Sequence, residues 1–450
     1  MLFARSLQIT PLPGLPASIE AEPQLKSMKI LVYGLNYAPE LTGIGKYTAE
    51  LCSWLTSRGH IVKVIAGHPY YPDWAVAESY DNRKYQTEFR DGVEIVHCPL
   101  FVPTVPTSKK RILNHVSFSI TSAPKVLEQA FRFRPDIIFC VAPSFFVAPI
   151  AILAGSLSGT PRWLHVQDFE IDSAFELGML AGGRLRRLAA TIETSILKQF
   201  GRVSTISPKM VAGLVRKGVA PAQTVEFRNW VDTSAIRPLD RMTDYRKQLG
   251  LTSDHIVALY SGSIAAKQGI ESLVTAARTA LEINRNITFL FCGNGAMRGK
   301  LLAAAEGLAN TKFLDLQPEH RMPELLATAD IHLIPQRAQV ADLMLPSKLA
   351  PILSSGRPAV VMADPNTQLA TELGGAGIAV APADQSALVN AILRLANDEK
   401  LRQEMGIRAR ELACSRWDKN AILRNFEKQL IELSLLGTPV DDRRQSKATS

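Results

Sequence analysis

Residues 165–172 read HVQDFEID, which puts an imidazole and three carboxylates into eight positions after the apolar run RWL. Acids at the C-terminal end of a strand belong in the crevice of an open α/β sheet. There one of them can orient hydroxyl groups or accept a proton. Strand alternation sends His165 and Asp168 to opposite faces unless the chain leaves the strand between them. His165 and Asp168 form the preferred catalytic pair; a helix N-cap flanked by solvated acids, with Glu170 and Asp172, is the alternative.

A second candidate is the loop LTGIGKYTAE at 41–50, which follows MKILVYGLNY. A dinucleotide fold needs G-x-G-x-x-G directly after the strand, so that a pyrophosphate meets the helix N-terminus. Here eight residues separate Gly34 from Gly43, and the run Gly43-Ile44-Gly45-Lys46 lacks the third glycine. The second apolar run, IVKVIAG, leads into His68 and Pro69 rather than an acidic ribose ligand. A nicotinamide or flavin site fits poorly. What remains is an open loop at a helix start, suited to an anionic or hydroxyl-rich ligand, or a turn holding nothing. Gly293-Asn294-Gly295 after ITFLFC likewise allows close backbone approach to a ligand, or an ordinary strand-to-helix turn. In GHPYYPDW, Tyr70, Tyr71 and Trp74 can stack on a sugar acceptor or pack loop against loop.

Composition narrows the classes. Of 450 residues, 51 are basic and 42 acidic, a net charge of +9 that favours anionic partners without choosing among them. No interleaved basic and aromatic array of the kind that binds single strands is present, so nucleic acid is not an expected partner. The five cysteines are far apart and never in C-x-x-C spacing, which points away from zinc and disulfides and toward a reducing cytosol. No D-x-D and no His/Cys cluster occurs, so neither a protein-held metal nor a resident cofactor is expected. Lys109, Lys110 and Arg111 precede ILNHVSFSI, a basic-then-apolar stretch suited to an anionic membrane surface or to a solvated helix start.

These residues need a scaffold. Short apolar runs alternate with amphipathic stretches almost throughout, which predicts α/β architecture with parallel sheets covered on both faces. The predicted strands are KILVYG, IVKVIAG, VEIVHCP, DIIFCVA, RWLHVQD and RVSTIS, then IVALYSG, ITFLFCG, TKFLD, IHLIPQ, PAVVM and IAVAP. In GIESLVTAARTALEI, Ile270, Leu273, Val274, Ala277 and Leu281 share a helical face. Hairpin signals of the Asn-Gly type are scarce. The uncharged stretch 137–157 could span a bilayer by length, but Pro143 and Pro149 divide it, and strand–loop–helix is the expectation. A polar break near 233–250 separates a domain at 28–235 from one at 245–415. Residues 1–27 form an expected disordered leader or misassigned start, 416–436 a further helix, and 437–450 a disordered tail.

Taken in order, MKILVYGLNYAPELTGIGKYTAELCSWLTSRGHIVKVIAGHPYYPDW, HVQDFEID, VSTISPKM, NWVDTSAIRP, YSGSIAAKQGIESL, FCGNGAMRGKL and LPSKLAPILSSGRPAV resemble glycosyltransferase family 4. More closely they are similar to its exopolysaccharide branch, which holds the proposed colanic-acid fucosyltransferase. The resemblance covers residues 28–430. It implies a GT-B fold, in which two Rossmann-like, doubly wound domains face a cleft and the last helix crosses back to the first. It implies a metal-independent, retaining transfer of a sugar from a nucleotide diphosphate sugar to a polyprenyl-linked oligosaccharide on the cytoplasmic leaflet. A nucleotide-sugar epimerase and a non-catalytic sugar-nucleotide-binding protein are the alternatives.

Charge building on a departing diphosphate needs cations or helix N-termini, and the resemblance places Lys267 and Lys348 beside the donor. With them it groups Gly262, Ser263, Gly293, Asn294, Gly295, Asp342, Pro346 and Ser347, with Lys267 and Asp342 also on the catalytic side. Ser263 stands where the broader family has arginine. Pro351 stands where it has the second of two glutamates, and Asp342, nine residues earlier, is the acid nearest the first.

Overall fold

The computed structural model describes residues 26–40, 43–142, 145–169, 183–265, 268–337 and 345–436. Two sheets carry the fold. The first holds β1 (Lys29–Gly34), β2 (Ile61–Gly67), β3 (Gln86–Arg90), β4 (Val93–Cys98), β5 (Ile137–Ala142), β6 (Arg162–Val166), β7 (Arg202–Thr205) and β8 (Thr224–Glu226), in the order β3-β4-β2-β1-β5-β6-β7-β8. The second holds β9 (Ile256–Ser261), β10 (Ile287–Cys292), β11 (Thr311–Leu314), β12 (Ile331–Ile334), β13 (Ala359–Met362) and β14 (Gly377–Val380), in the order β11-β10-β9-β12-β13-β14. Strand order reverses beside β1 in one sheet and beside β9 in the other, and such switch points open a crevice at the strands' C-terminal ends.

The apolar runs become strands because a parallel strand buried on both faces needs nonpolar residues throughout. Every residue of β5 and of β10 is buried. The stretch 137–157 resolves into β5, a 3-10 turn at Phe145–Val147 and the helix Ala148–Ser158. No helix among the described residues is long and apolar enough to cross a membrane. In the helix Glu271–Ile283 the buried face is Leu273, Val274, Ala276, Ala277 and Ala280, so small alanines take the place expected of Leu281.

One pairing departs from the all-parallel expectation. β3 runs antiparallel to β4 and is joined to it through Asp91 and Gly92, both at positive φ. An Asp-Gly turn of this kind suits the right-handed twist of a hairpin.

The connection between lobes is polar because its charges have partners in the second lobe. Asp330, almost fully buried, accepts hydrogen bonds from Arg241 at 2.8 Å, from Val257 N at 2.8 Å and from the fully buried Arg246. Val231 N donates to Trp417 O at 2.9 Å and Lys419 N to Val231 O at 3.0 Å, which ties the connector to the start of the last helix, Lys419–Leu436. That helix lies on the first sheet. Leu423, Phe426, Leu430 and Leu433 are buried in one cluster with Val32, Phe139, Trp163 and Phe227. All five cysteines are free thiols, four of them buried.

Candidate active site in the cleft between the lobes

In the second lobe the turns after β9 and β10 lie backbone against backbone. Gly262 N donates to Cys292 O at 2.9 Å, Ile264 N to Asn294 O at 2.9 Å and Met297 N to Ile264 O at 3.0 Å. Glycine is required here by the neighbouring turn itself. A Cβ on Gly293 would lie 2.0 Å from Gly262 O, and one on Gly295 2.4 Å from Ile264 O. Gly262, Ser263, Gly293, Asn294 and Gly295 are thus brought together, with Ser263 and Asn294 exposed on the rim.

Lys348 approaches this pair of turns from the helix Leu349–Ser354. Its Nζ would stand 3.2 Å from a Cβ on Gly262 and lies 4.2 Å from the ring centre of Tyr260. The residue is half-buried along its stem, but Nζ is sealed from solvent and has no hydrogen-bond partner among the described residues. Burial lowers its pKa to about 8. A buried ammonium that keeps its charge without a hydrogen-bond acceptor is costly. Pro346 and Ser347 lead into the same helix, half-buried and exposed respectively. Lys267 and Asp342 lie outside the described residues, as do Glu170 and Asp172.

The first-lobe candidates fall differently. His165 sits 3% exposed in β6. Nδ1 pairs with Ser204 Oγ at 2.8 Å, Nε2 with Gln167 Nε2 at 2.9 Å, and the ring stacks on Phe139. Burial lowers its pKa to about 3, which keeps the imidazole neutral. His165 is therefore an interior group, and Asp168 follows the strand half-buried. Alternation holds through Val166, the last residue of β6, before the chain leaves the strand toward Asp168.

Around the first glycine loop an unforeseen carboxylate is the organiser. Glu40, 6% exposed, accepts from Tyr70 N at 3.2 Å and Tyr71 N at 3.1 Å through Oε1, and from Asn36 Nδ2 at 2.9 Å through Oε2. Burial raises its pKa. Gly43 opens the helix Gly43–Ser57 at φ +64, and a Cβ on Gly45 would be 3.0 Å from Glu40 Oε2. The second glycine therefore makes room for Glu40. Ile44 packs against the core. Lys46 Nζ reaches Glu319 in the second lobe at 2.6 Å, which turns the C-terminal ends of β1 and β11 toward each other.

The aromatic trio divides. Tyr70 is buried and donates to Asn114 Oδ1 at 3.0 Å, so its ring cannot receive a sugar. Trp74, at positive φ, is wedged edge-on to Tyr70 and covered by the Arg111 guanidinium. Tyr71 alone of the three is exposed, at 42%. Glu40 and Tyr260 escaped sequence inspection. An acid between Pro39 and a glycine loop was the available signal for Glu40; Tyr260 is indistinguishable from any strand residue.

Two facing Rossmann-like sheets, a cleft at their C-terminal edges and a returning last helix define a GT-B fold. The chain matches the glycosyl transferase 4-like domain over residues 42–230 and the glycosyl transferases group 1 domain over 241–412. It is 39% identical to the colanic acid biosynthesis glycosyl transferase WcaI of Escherichia coli (strain K12), an alignment that covers 89% of this chain and 98% of that one. This chain belongs to glycosyltransferase family 4 and is a glycosyltransferase. Its fold is similar to that of sucrose-phosphate synthase from Thermosynechococcus elongatus (TM-score 0.71, 16% identity, 91% of this chain and 100% of that one). It is also similar to Anabaena Alr3699/HepE in complex with UDP-glucose (TM-score 0.65, 14% identity, 90% and 100%).

Proposed function

We propose that the enzyme moves a sugar from a nucleotide diphosphate sugar to a polyprenyl-linked exopolysaccharide precursor at the cytoplasmic face of the membrane, with retention and without a protein-held metal. The observation that carries the donor half is the buried Lys348 ammonium, which lies beside the Gly262 turn and has no hydrogen-bond partner among the described residues. An ammonium fixed at that edge opposes the charge that grows on the leaving diphosphate, and it needs no reorganisation at the moment of bond cleavage. Lys267 is the second cation of this reading, with Asp342 toward the donor sugar. Relatives named for colanic acid synthesis and for a UDP-glucose complex support the substrate class.

The acceptor half rests on the first lobe. Tyr71 and Asp168 stand at the C-terminal ends of strands, where hydroxyls would be presented. Lys109, Lys110 and Arg111 are exposed beside exposed Ile112 and Leu113 on the helix Ser108–Arg132, a combination suited to an anionic bilayer.

The test begins with a thermal-shift screen of UDP-, GDP- and dTDP-sugars. The hit is then incubated, isotopically labelled, with membranes carrying lipid-linked oligosaccharide. Label should enter the organic phase only when acceptor is present, and Lys348→Ala and Lys267→Ala should abolish transfer. Donor turnover without acceptor, or binding without turnover, would overturn the proposal. Vesicles containing anionic lipid should bind the protein, and Lys109→Glu with Lys110→Glu should release it.

A further inference from the structure

Tyr260 is the penultimate residue of β9 and lies beneath the turn that ends that strand. Its hydroxyl donates to Ser263 O at 2.6 Å, and its ring face carries the Lys348 ammonium at 4.2 Å. Gly262 lies between the two, at φ +134, and a side chain there would meet Lys348 Nζ. One aromatic side chain therefore touches both components of the anion site, the cation and the backbone turn. We infer that Tyr260 is a positioning residue of the donor site, its ring holding the Lys348 ammonium at the turn and its hydroxyl fixing the turn above it for a nucleoside diphosphate. The inference rests on the donor-site reading given above.

The physical reason is incomplete compensation. An aromatic face attracts a desolvated ammonium through its quadrupole but offers no hydrogen-bond acceptor. The three N–H donors of Lys348 remain unused among the described residues. The ring thus keeps the ammonium at the turn without neutralising it, and an incoming diphosphate is the better partner. Burial lowers the basicity of Lys348. Among the described residues, Nζ meets the Tyr260 ring, whose hydroxyl burial makes less acidic, and the Gly262 turn, which has no titratable atom.

Isothermal titration of the full chain with UDP, GDP, ADP and dTDP tests this, using the tightest as probe. Lys348→Met should weaken binding about 100-fold and Tyr260→Leu about tenfold, with Tyr260→Phe about threefold because the ring stays. The Tyr260→Leu/Lys348→Met double variant should bind no more weakly than Lys348→Met alone, since the two act as one unit. In the wild type, affinity should fall about tenfold per pH unit above pH 8 as the ammonium loses its proton. In Lys348→Met that slope should vanish. Lys348→Met should also raise the melting temperature of the free protein, because an unpaired buried charge has gone; loss of fold cannot then explain lost binding. Unchanged affinity in Tyr260→Leu, or additive effects in the double variant, would overturn the inference while leaving the donor-site reading intact, whereas unchanged affinity in Lys348→Met or a flat wild-type pH profile would overturn both. Failure of the wild type to bind any of the four nucleotides would overturn that reading, and the inference with it.

Discussion

Glu40 holds three N–H donors from two loops on a single buried carboxylate, and its removal should be felt across the acceptor side. Glu40→Ala leaves those donors unsatisfied, at a cost of about 1–3 kcal/mol. A several-degree fall in melting temperature is expected. Glu40→Gln keeps one oxygen for Tyr70 and Tyr71, while a flipped Asn36 can accept from the new amide, so most of the loss should be restored. Retained transfer in Glu40→Gln would mark the residue as a positioning group; its loss would mark a carboxylate that acts on protons.

His165 gives a pH dependence whose sign follows from burial. Its folded pKa of about 3 lies below the roughly 6.5 of an unfolded histidine, so the unfolded chain binds the extra proton between those values. The stability it confers is complete above about pH 6.5 and falls with acidification by up to about 1.4 kcal/mol per unit. Urea midpoints measured from pH 7 to 5 should fall, and His165→Gln should flatten that part of the slope.

At the scale of elements, the two glycine turns of the second lobe are a packing device. Gly293→Ala places a methyl against the Gly262 carbonyl at a positive-φ position and must push the ends of β9 and β10 apart. A fall of several degrees in melting temperature together with lost nucleotide binding is expected, measured by thermal shift with and without UDP. Gly299→Ala, whose Cβ would meet open space, is the control and should change neither. Twelve of the thirteen strands in parallel pairings were legible because burial on both faces demands continuous apolar runs. β3 was not, because Gln86–Arg90 is a solvent-facing edge whose residues need not be apolar. Its one signal was Asp91-Gly92. β8 has three residues, too few for any period to register.

For the whole molecule, the last helix is part of the first lobe's core although it ends the described chain. Phe426 is stacked 4.1 Å from Phe227 and packs edge-on to Phe139 and Trp163. Phe426→Ala should cost about 3–5 kcal/mol, read as a lowered denaturant midpoint. Residues 28–235 expressed alone should aggregate, and supplying 417–436 through a linker should restore a soluble, cooperatively melting lobe. Opposite that attachment, the Lys46–Glu319 pair bridges the cleft with both side chains partly exposed. An exposed pair contributes about 0–1 kcal/mol, so it biases closure without locking it.

Sequence alone determined the class of fold, the polar break between lobes and the glycine-rich edges, because apolar periodicity and backbone sterics act over a few residues. The tertiary structure decided which of the singled-out groups face the cleft. His165 and Tyr70 went into the interior, Gly45 proved to make room for Glu40, and Lys348 came to rest on Tyr260 from a segment almost ninety positions away in the chain. Burial and pairing depend on what the rest of the chain brings alongside a residue, and no local pattern contains that information.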